Sequence, residues 1–371
     1  MNTPTYPLVP PPCAHSQPRV LIFPIDMPYS ITFLQTARQL GVQMIAASSE
    51  AIDPKRFPDC YCVHLPYVTT DTFDRDFIAL LETRRIDIVF APHIAVWRHL
   101  RALLSKPDFP VRFRLCNESP LDMNWRSFDA AYHWAEICRS TPPLDPGIAG
   151  PALPLASYAG LFRQYNLIPG ESDDTKLFAL TQVARQAPPG DVVEIGSLYG
   201  KSAFALAWLA KFHHLGTMIA VDPWRFCQDQ GEQAALINDA APDLDWKHPF
   251  LGFMASLAMF EHVNYLRHPS VQAADVYQQA SADGYIDSEE FGRTPVTGKI
   301  AILHIDGNHT YESVRTDLDT WLPFVQDGGW ILFDDYQWAF GDGPKQVGDE
   351  FLTKHPVQTS FVTSDTLFVK I

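Results

Sequence analysis

The stretch AILHIDGNHTYESVRTD, residues 301–317, decides how this chain is read. An apolar run stops at Asp306, passes through Gly307, Asn308 and His309, and gives way to a helical pattern. Thr310 is suited to cap that helix, and Val314, Leu318, Trp321, Leu322 and Val325 recur at helical spacing as its buried stripe. The spacing predicts a buried strand followed by a helix from about 310 to 325. A carboxylate and an imidazole then stand at the strand's C-terminal end, where an open α/β sheet keeps its ligands.

The same grammar runs outward in both directions. Upstream, DTKLFALTQVARQA reads as a helix with Leu177, Leu180, Val183 and Ala184 inward. PPGDVVEIGSLYGKSAFALAWLAKF then reads as strand, glycine turn and helix, and GTMIAVDPW as the next strand. GFMASLAMFEHVNYL reads as an apolar helix, placed either in the core or as a lid. Downstream, GWILFDDY is a strand and QTSFVTSDTLFVKI an antiparallel pair turning at Ser364 and Asp365. The expected architecture is a doubly wound sheet with an antiparallel C-terminal edge.

A smaller α/β block precedes it. RVLIFPI, VQMIAASS and IDIVFAP are short apolar strands. The helices ITFLQTARQLG, with Gly41 as its stop, and DTFDRDFIALLETRR separate them, which means a parallel sheet. The chain therefore divides into a loose proline-rich tail at 1–18, an N-terminal Rossmann-like domain at 19–118, a connector at 119–170 and the larger domain at 171–371. The connector holds the helical SFDAAYHWAEIC and the Pro/Gly-rich STPPLDPGIAGPALPL.

Composition narrows the function. The 371 residues are 46% hydrophobic and 19% charged, enough to form a sizeable core, and the formal net charge is -15. That charge repels phosphate backbones, so nucleic acid is not an expected partner. The six cysteines form no C-x-x-C pair and read as reduced thiols. No segment looks like a signal peptide or a membrane span, so a cytoplasmic protein with a small-molecule acceptor and no membrane partner is expected.

The glycine turn EIGSLYGKS excludes two common phosphate sites. A Walker A loop needs glycine at 195, which is Ile195, and a G-x-G-x-x-G loop needs glycine at 198, which is Leu198. What remains is E-x-G-x-x-x-G, with Asp222 at the end of the next strand, where a carboxylate can accept from ribose hydroxyls. This combination resembles the S-adenosylmethionine site of class I methyltransferases. The resemblance implies that Glu194 supports the turn and the ligand's amino group and that Gly196, Ser197 and Gly200 shape the cradle. It further implies that Asp222 holds the ribose diol. Trp224 is a candidate for the adenine pocket or an ordinary core aromatic. Ser281, with Asp283, falls where that fold contacts adenine.

The strands ending at Asp306 and at Asp334–Asp335 are expected to be parallel neighbours, so three carboxylates converge. Like charges at close range require something positive between them, and a hard divalent cation, Mg²⁺ by default, suits them. HIDGNHTYESVRTDLDTWLPFVQDGGWILFDDY is similar to the metal-dependent sugar O-methyltransferases of the macrocin and mycinamicin type, over about residues 171–371. That similarity implies Mg²⁺ on Asp306, Asp334 and Asp335, and His309 as general base, with Asp306 an alternative base. It also implies an acceptor hydroxyl on a sugar or natural-product-like molecule, and assembly into homo-oligomers, which is common in that family. N-methylation, an intramolecular reaction releasing methylthioadenosine, and a non-catalytic binding role stay open. Residues 19–117 resemble the domain that precedes the ATP-binding part of ATP-grasp enzymes. The remainder of such an enzyme does not follow, so no ATP chemistry is expected there; substrate capture and dimerisation are the roles considered.

Overall fold

A computed structural model describes residues 18–57, 60–225 and 245–371. The tail at 1–17, with Cys13, and the segment around Cys227 lie outside them. The described chain falls into two compact units, residues 1–127 and 128–371. Among the described residues no helix is long and apolar enough to cross a membrane.

In the first unit, strands β1 (Arg19–Ile22), β2 (Gln43–Ser48), β3 (Tyr61–His64), β4 (Ile88–Phe90) and β5 (Arg114–Leu115) form a parallel sheet in the order β3-β2-β1-β4-β5. The helices Pro28–Gln39, Phe73–Arg84 and Ile94–Leu104 cover it. Gly41 follows the first helix with φ +68°, as a helix stop requires. β3, β5 and the helix Ile94–Leu104 add to the three strands and two helices read from sequence.

The second unit is built on seven strands: β6 (Asp191–Ile195), β7 (Met218–Val221), β8 (Val263–Leu266), β11 (Ile300–Ile305), β12 (Val325–Phe333), β13 (Thr359–Thr363) and β14 (Thr366–Lys370). Their order is β13-β14-β12-β11-β6-β7-β8, with β14 antiparallel to both neighbours and the other pairs parallel. A separate hairpin, β9 (Tyr285–Ser288) and β10 (Gly292–Pro295), lies between β8 and β11 in sequence. One face of the sheet packs on the helices Asp174–Ala184, Lys201–His213 and Lys247–Leu257 through Leu177, Phe204 and Phe253. The other packs on Ser270–Asp283, Tyr311–Trp321 and Gly343–Lys354 through Tyr277, Leu318 and Phe351. The segment read as a connector supplies Trp134, Cys138, Tyr158 and Leu161 to the first of these cores.

Two readings of local structure are corrected. The helix that begins after Thr310 ends at Trp321, because Pro323 cannot continue it, and Val325 opens β12 instead. GFMASLAMFEHVNYL is not one helix: it turns at Ala258, and Val263–Leu266 is the edge strand β8. The turn at Ser364 and Asp365 is as read, with both residues at positive φ.

Strand order reverses between β6 and β11. Chain leaving β6 winds toward β7 and β8, then returns to lay β11 on β6's other side. The crevice beyond the carboxyl ends of these two strands is the place where such a sheet takes a ligand.

Candidate active site

The crevice is closed from below by a glycine. Gly196 has φ +84°, and a Cβ there would lie 2.0 Å from the Asp306 carbonyl oxygen. Only a residue without a side chain lets the ends of β6 and β11 meet this closely. Gly200 caps the helix Lys201–His213, also with φ +84°, and its missing Cβ makes room for Leu257 and Phe253. The two glycines thus first serve close packing of the turn's own surroundings, and the turn is shaped as a consequence.

Asp222 holds that turn. Its Oδ2 accepts the N–H groups of Ser197 and Leu198, both at 3.0 Å, and its Oδ1 accepts Trp224 N–H at 2.7 Å. Burial pushes the carboxyl up, and the three backbone donors oppose that. Oδ1 retains acceptor capacity for a hydroxyl. Trp224 is almost wholly buried, donates from Nε1 to Leu198 O at 2.8 Å and packs on Phe250, Phe253 and Tyr265. It is a core aromatic that braces the turn, the second of the two roles considered for it.

Ser281 is displaced from the site. The helix Ser270–Asp283 starts after β8 and carries Ser281, near its far end, about 16 Å back along the sheet. There it donates to Tyr277 O at 2.7 Å and packs against Gly298, just before β11 begins. Nearby, Tyr277 bonds Asp191 at the start of β6. The expected adenine contact is corrected: helix length puts Ser281 and Asp283 at the strands' amino edge, opposite the crevice.

A buried polar chain runs under the crevice. Glu194 and His304 are register partners on β6 and β11, so their side chains meet on one face. His304 Nδ1 lies 2.9 Å from Glu194 Oε1, and Ser197 donates to Glu194 Oε2 at 2.6 Å. On its other side His304 Nε2 is 3.7 Å from Asp334 Oδ2. Lys176 donates to that same oxygen and lies 4.0 Å from Asp306 Oδ2. Thr366 donates to Asp334 Oδ1. Burial and Lys176 both work against protonating His304, yet Asp334 and Glu194 raise it to about 9. Against the cost of burial, Lys176 and His304 hold Asp334 well below the usual carboxylate range, and Asp334 and Asp306 keep Lys176 charged.

Above this chain sits an open group. His309 Nε2 is 3.0 Å from Asp335 Oδ2 and 3.8 Å from Asp306 Oδ1. Asn308 accepts Thr310 N–H at 2.9 Å, Thr310 caps the helix, and Gly343 packs its bare Cα against the His309 carbonyl, which fixes the loop. Trp338 lies against the His309 ring at 4.7 Å between centroids and also lines a hollow of about 410 Å³ with Tyr336, Gln337 and Lys345. Asp335 has φ +50°, a strained setting for a residue with a Cβ and one that concentrates at functional sites. Burial and the Asp334 charge push Asp306 up to about 7; burial also raises Asp335; the carboxylates outweigh burial and raise His309.

Asp306 stands between the other two aspartates of the expected metal set. Metal-type spacing among the described residues groups His304, Asp306 and Asp334, and separately Asp306, His309 and Asp335. The second group fits a divalent cation through its two carboxylates, Asp306 and Asp335, with the His309 imidazole beside them. Lys176 and His304 were missed as site residues. Their signals were a lysine four residues before Leu180 on an otherwise buried helix face, and a lone imidazole inside the apolar run AILHI.

Comparison with known proteins matches the same part of the chain. Residues 193–336 match a family described as a methyltransferase domain. A 38-residue segment is 50% identical to Uncharacterized protein R132 of Acanthamoeba polyphaga mimivirus, covering 10% of this chain and 17% of that protein. A 148-residue segment is 25% identical to Uncharacterized protein y4gI of Sinorhizobium fredii, covering 40% of this chain and 13% of that one. The match therefore spans less than a fifth of either relative. Among solved structures, the O-methyltransferase NovP is similar at 19% identity and a TM-score of 0.38, over 53% of this chain and 78% of its own. The calicheamicin methyltransferase CalS11 is similar at 14% identity and 0.40, over 68% and 94%. The glycine turn at the switch point of the seven-stranded sheet thus lies within residues 193–336, the part of the second unit that matches a methyltransferase domain.

Proposed function

We propose that this domain is a metal-assisted O-methyltransferase for a small molecule of sugar or natural-product type, with a second oxygen beside the acceptor hydroxyl. One observation carries the reading. Gly196, in the cofactor turn, abuts Asp306, so the proton-accepting group Asp306, His309 and Asp335 stands directly beside the methyl-donor cradle. The similarity of HIDGNHTYESVRTD and ILFDDY to metal-dependent sugar O-methyltransferases supports the acceptor class.

The residues divide the work. Gly196, Ser197 and Gly200 would shape the S-adenosylmethionine cradle, Glu194 would brace it, and Asp222 would offer its remaining acceptor capacity to the ribose. Asp306 and Asp335 would hold the divalent cation. A bound cation there would lower the pKa of an acceptor hydroxyl. His309 Nε2 takes the hydroxyl proton, since neighbouring carboxylates favour its charged form once the proton arrives. Trp338 against the imidazole limits its rotation and keeps water from one face. Holding acceptor and donor in line supplies much of the acceleration.

The test is a turnover assay with S-adenosylmethionine and a panel of vicinal-diol sugars, with Mg²⁺ or with a chelator, read by mass spectrometry. A methylated sugar and S-adenosylhomocysteine are expected, lost on chelation and reduced about 10²–10⁴-fold in His309→Ala. Methylthioadenosine as the product, or turnover unchanged by both chelator and substitution, would overturn the reading.

A further inference from the structure

The inner cluster, His304, Asp306 and Asp334, has metal-ligand spacing and a wholly buried imidazole whose Nε2 makes no hydrogen bond. Lys176 reaches into it. Its side chain is 3% exposed, and its ammonium donates to Asp334 Oδ2 and faces Asp306 Oδ2 at 4.0 Å. We propose that the Lys176 ammonium is the permanent cation of this inner cluster, filling a position that a divalent ion would otherwise take and confining metal to the outer carboxylates Asp306 and Asp335, beside His309. For the outer ion the inference rests on the reading given above; the assignment of the inner position to Lys176 does not depend on it.

Position carries the argument. The Lys176 ammonium donates to Asp334 Oδ2 and faces Asp306 Oδ2 at 4.0 Å, so it sits between the two carboxylates that a divalent ion would have to bridge. Asp334 is held at both oxygens, Oδ2 by Lys176 and Oδ1 by Thr366. A tethered ammonium does not dissociate, so this half of the site is set at any metal concentration. Asp334 is thereby anchored, and Asp335, the next residue, is presented to the outer group with its left-handed backbone. Lys176 is a positioning residue, and its position on the buried face of the helix Asp174–Ala184 gives it a short, fixed reach.

Counting bound Mn²⁺ by electron paramagnetic resonance tests this on the full chain. Wild type is expected to take one ion per chain, Lys176→Arg one, and Lys176→Met two, the added ion being lost again in Lys176→Met/Asp334→Asn. Two ions on wild type, or equal counts on wild type and a folded Lys176→Met, overturn the proposal. If Lys176→Met does not fold, Lys176→Gln, which keeps a donor without the charge, takes its place with the same expectation. No ion on wild type but one on Lys176→Met would sustain the inner assignment while removing the metal from the proposed function. No ion on either protein would remove both.

Discussion

The chain contains two open sheets with a reversal of strand order, and among the described residues carboxylates and imidazoles cluster at the edge of one of them. In the first unit the reversal falls between β1 and β4. The polar side chains there are spent on the protein itself. Asn117 accepts Ala91 N–H and donates to Ala91 O, both at 2.9 Å, and Ser30 donates to Pro24 O. In the second unit the reversal falls between β6 and β11, and its edge brings together Asp306, Asp334, Asp335, His304 and His309, with His304 Nε2 making no hydrogen bond. The architecture supplies a crevice in both. What makes one a site is functional groups left over after the backbone has been satisfied, at a cost in buried charge.

Substitutions at corresponding features can break or sharpen this contrast. The largest effect is expected for Gly196→Ala. Its Cβ would overlap the Asp306 carbonyl, and the variant should lose more than about 4 kcal/mol of stability or bind S-adenosylmethionine over 100-fold more weakly. Thermal melts and titration calorimetry read both, and a wild-type melt with wild-type affinity would show that the two strand ends are not locked together.

Next is Asp317, buried on the helix Tyr311–Trp321 beside Gly307, with its carboxyl pushed up to about 6 by burial. The folded state then binds a proton more readily than the unfolded chain, so stability falls as pH rises from about 4 through 6. Asp317→Asn should stabilise by up to about 3 kcal/mol at alkaline pH, and the gain should vanish below about pH 4. A gain independent of pH would mean that the charge is not its source.

In the first unit the sign reverses. Asn117→Ala removes bonds that hold the ends of β4 and β5 and should cost about 2 kcal/mol, with S-adenosylmethionine affinity within twofold of wild type. A large loss of affinity would show that this edge serves the second unit's chemistry after all. The smallest effect is expected for Gly41→Ala. Gly41 is also left-handed, at φ +68°, but nothing lies within 4 Å of its would-be Cβ. It should cost about 1 kcal/mol, the backbone penalty alone, against which the packing contribution at Gly196 can be measured.

By itself the sequence determined the alternation of short apolar strands with amphipathic helices, the glycine turn, and the placing of Asp222, Asp306, Asp334 and Asp335 at strand ends. These are local properties: periodicity, turn chemistry and the run lengths of apolar residues, each legible within about 20 residues. The break in GFMASLAMFEHVNYL was not legible, because an apolar run of that length suits a buried helix or a helix and an edge strand equally. Only the tertiary structure decided which charges meet. Lys176 reaches Asp334 across 158 residues, and Glu194 meets His304 across 110. Neither pairing has a local signature, since both follow from strand register and from which helix covers which face. It was this long-range placement that set Lys176 on Asp334 and left Asp306 shared between that buried contact and the group beside His309. It also carried Ser281 to the opposite edge of the sheet, because a helix displaces its far end by its whole length.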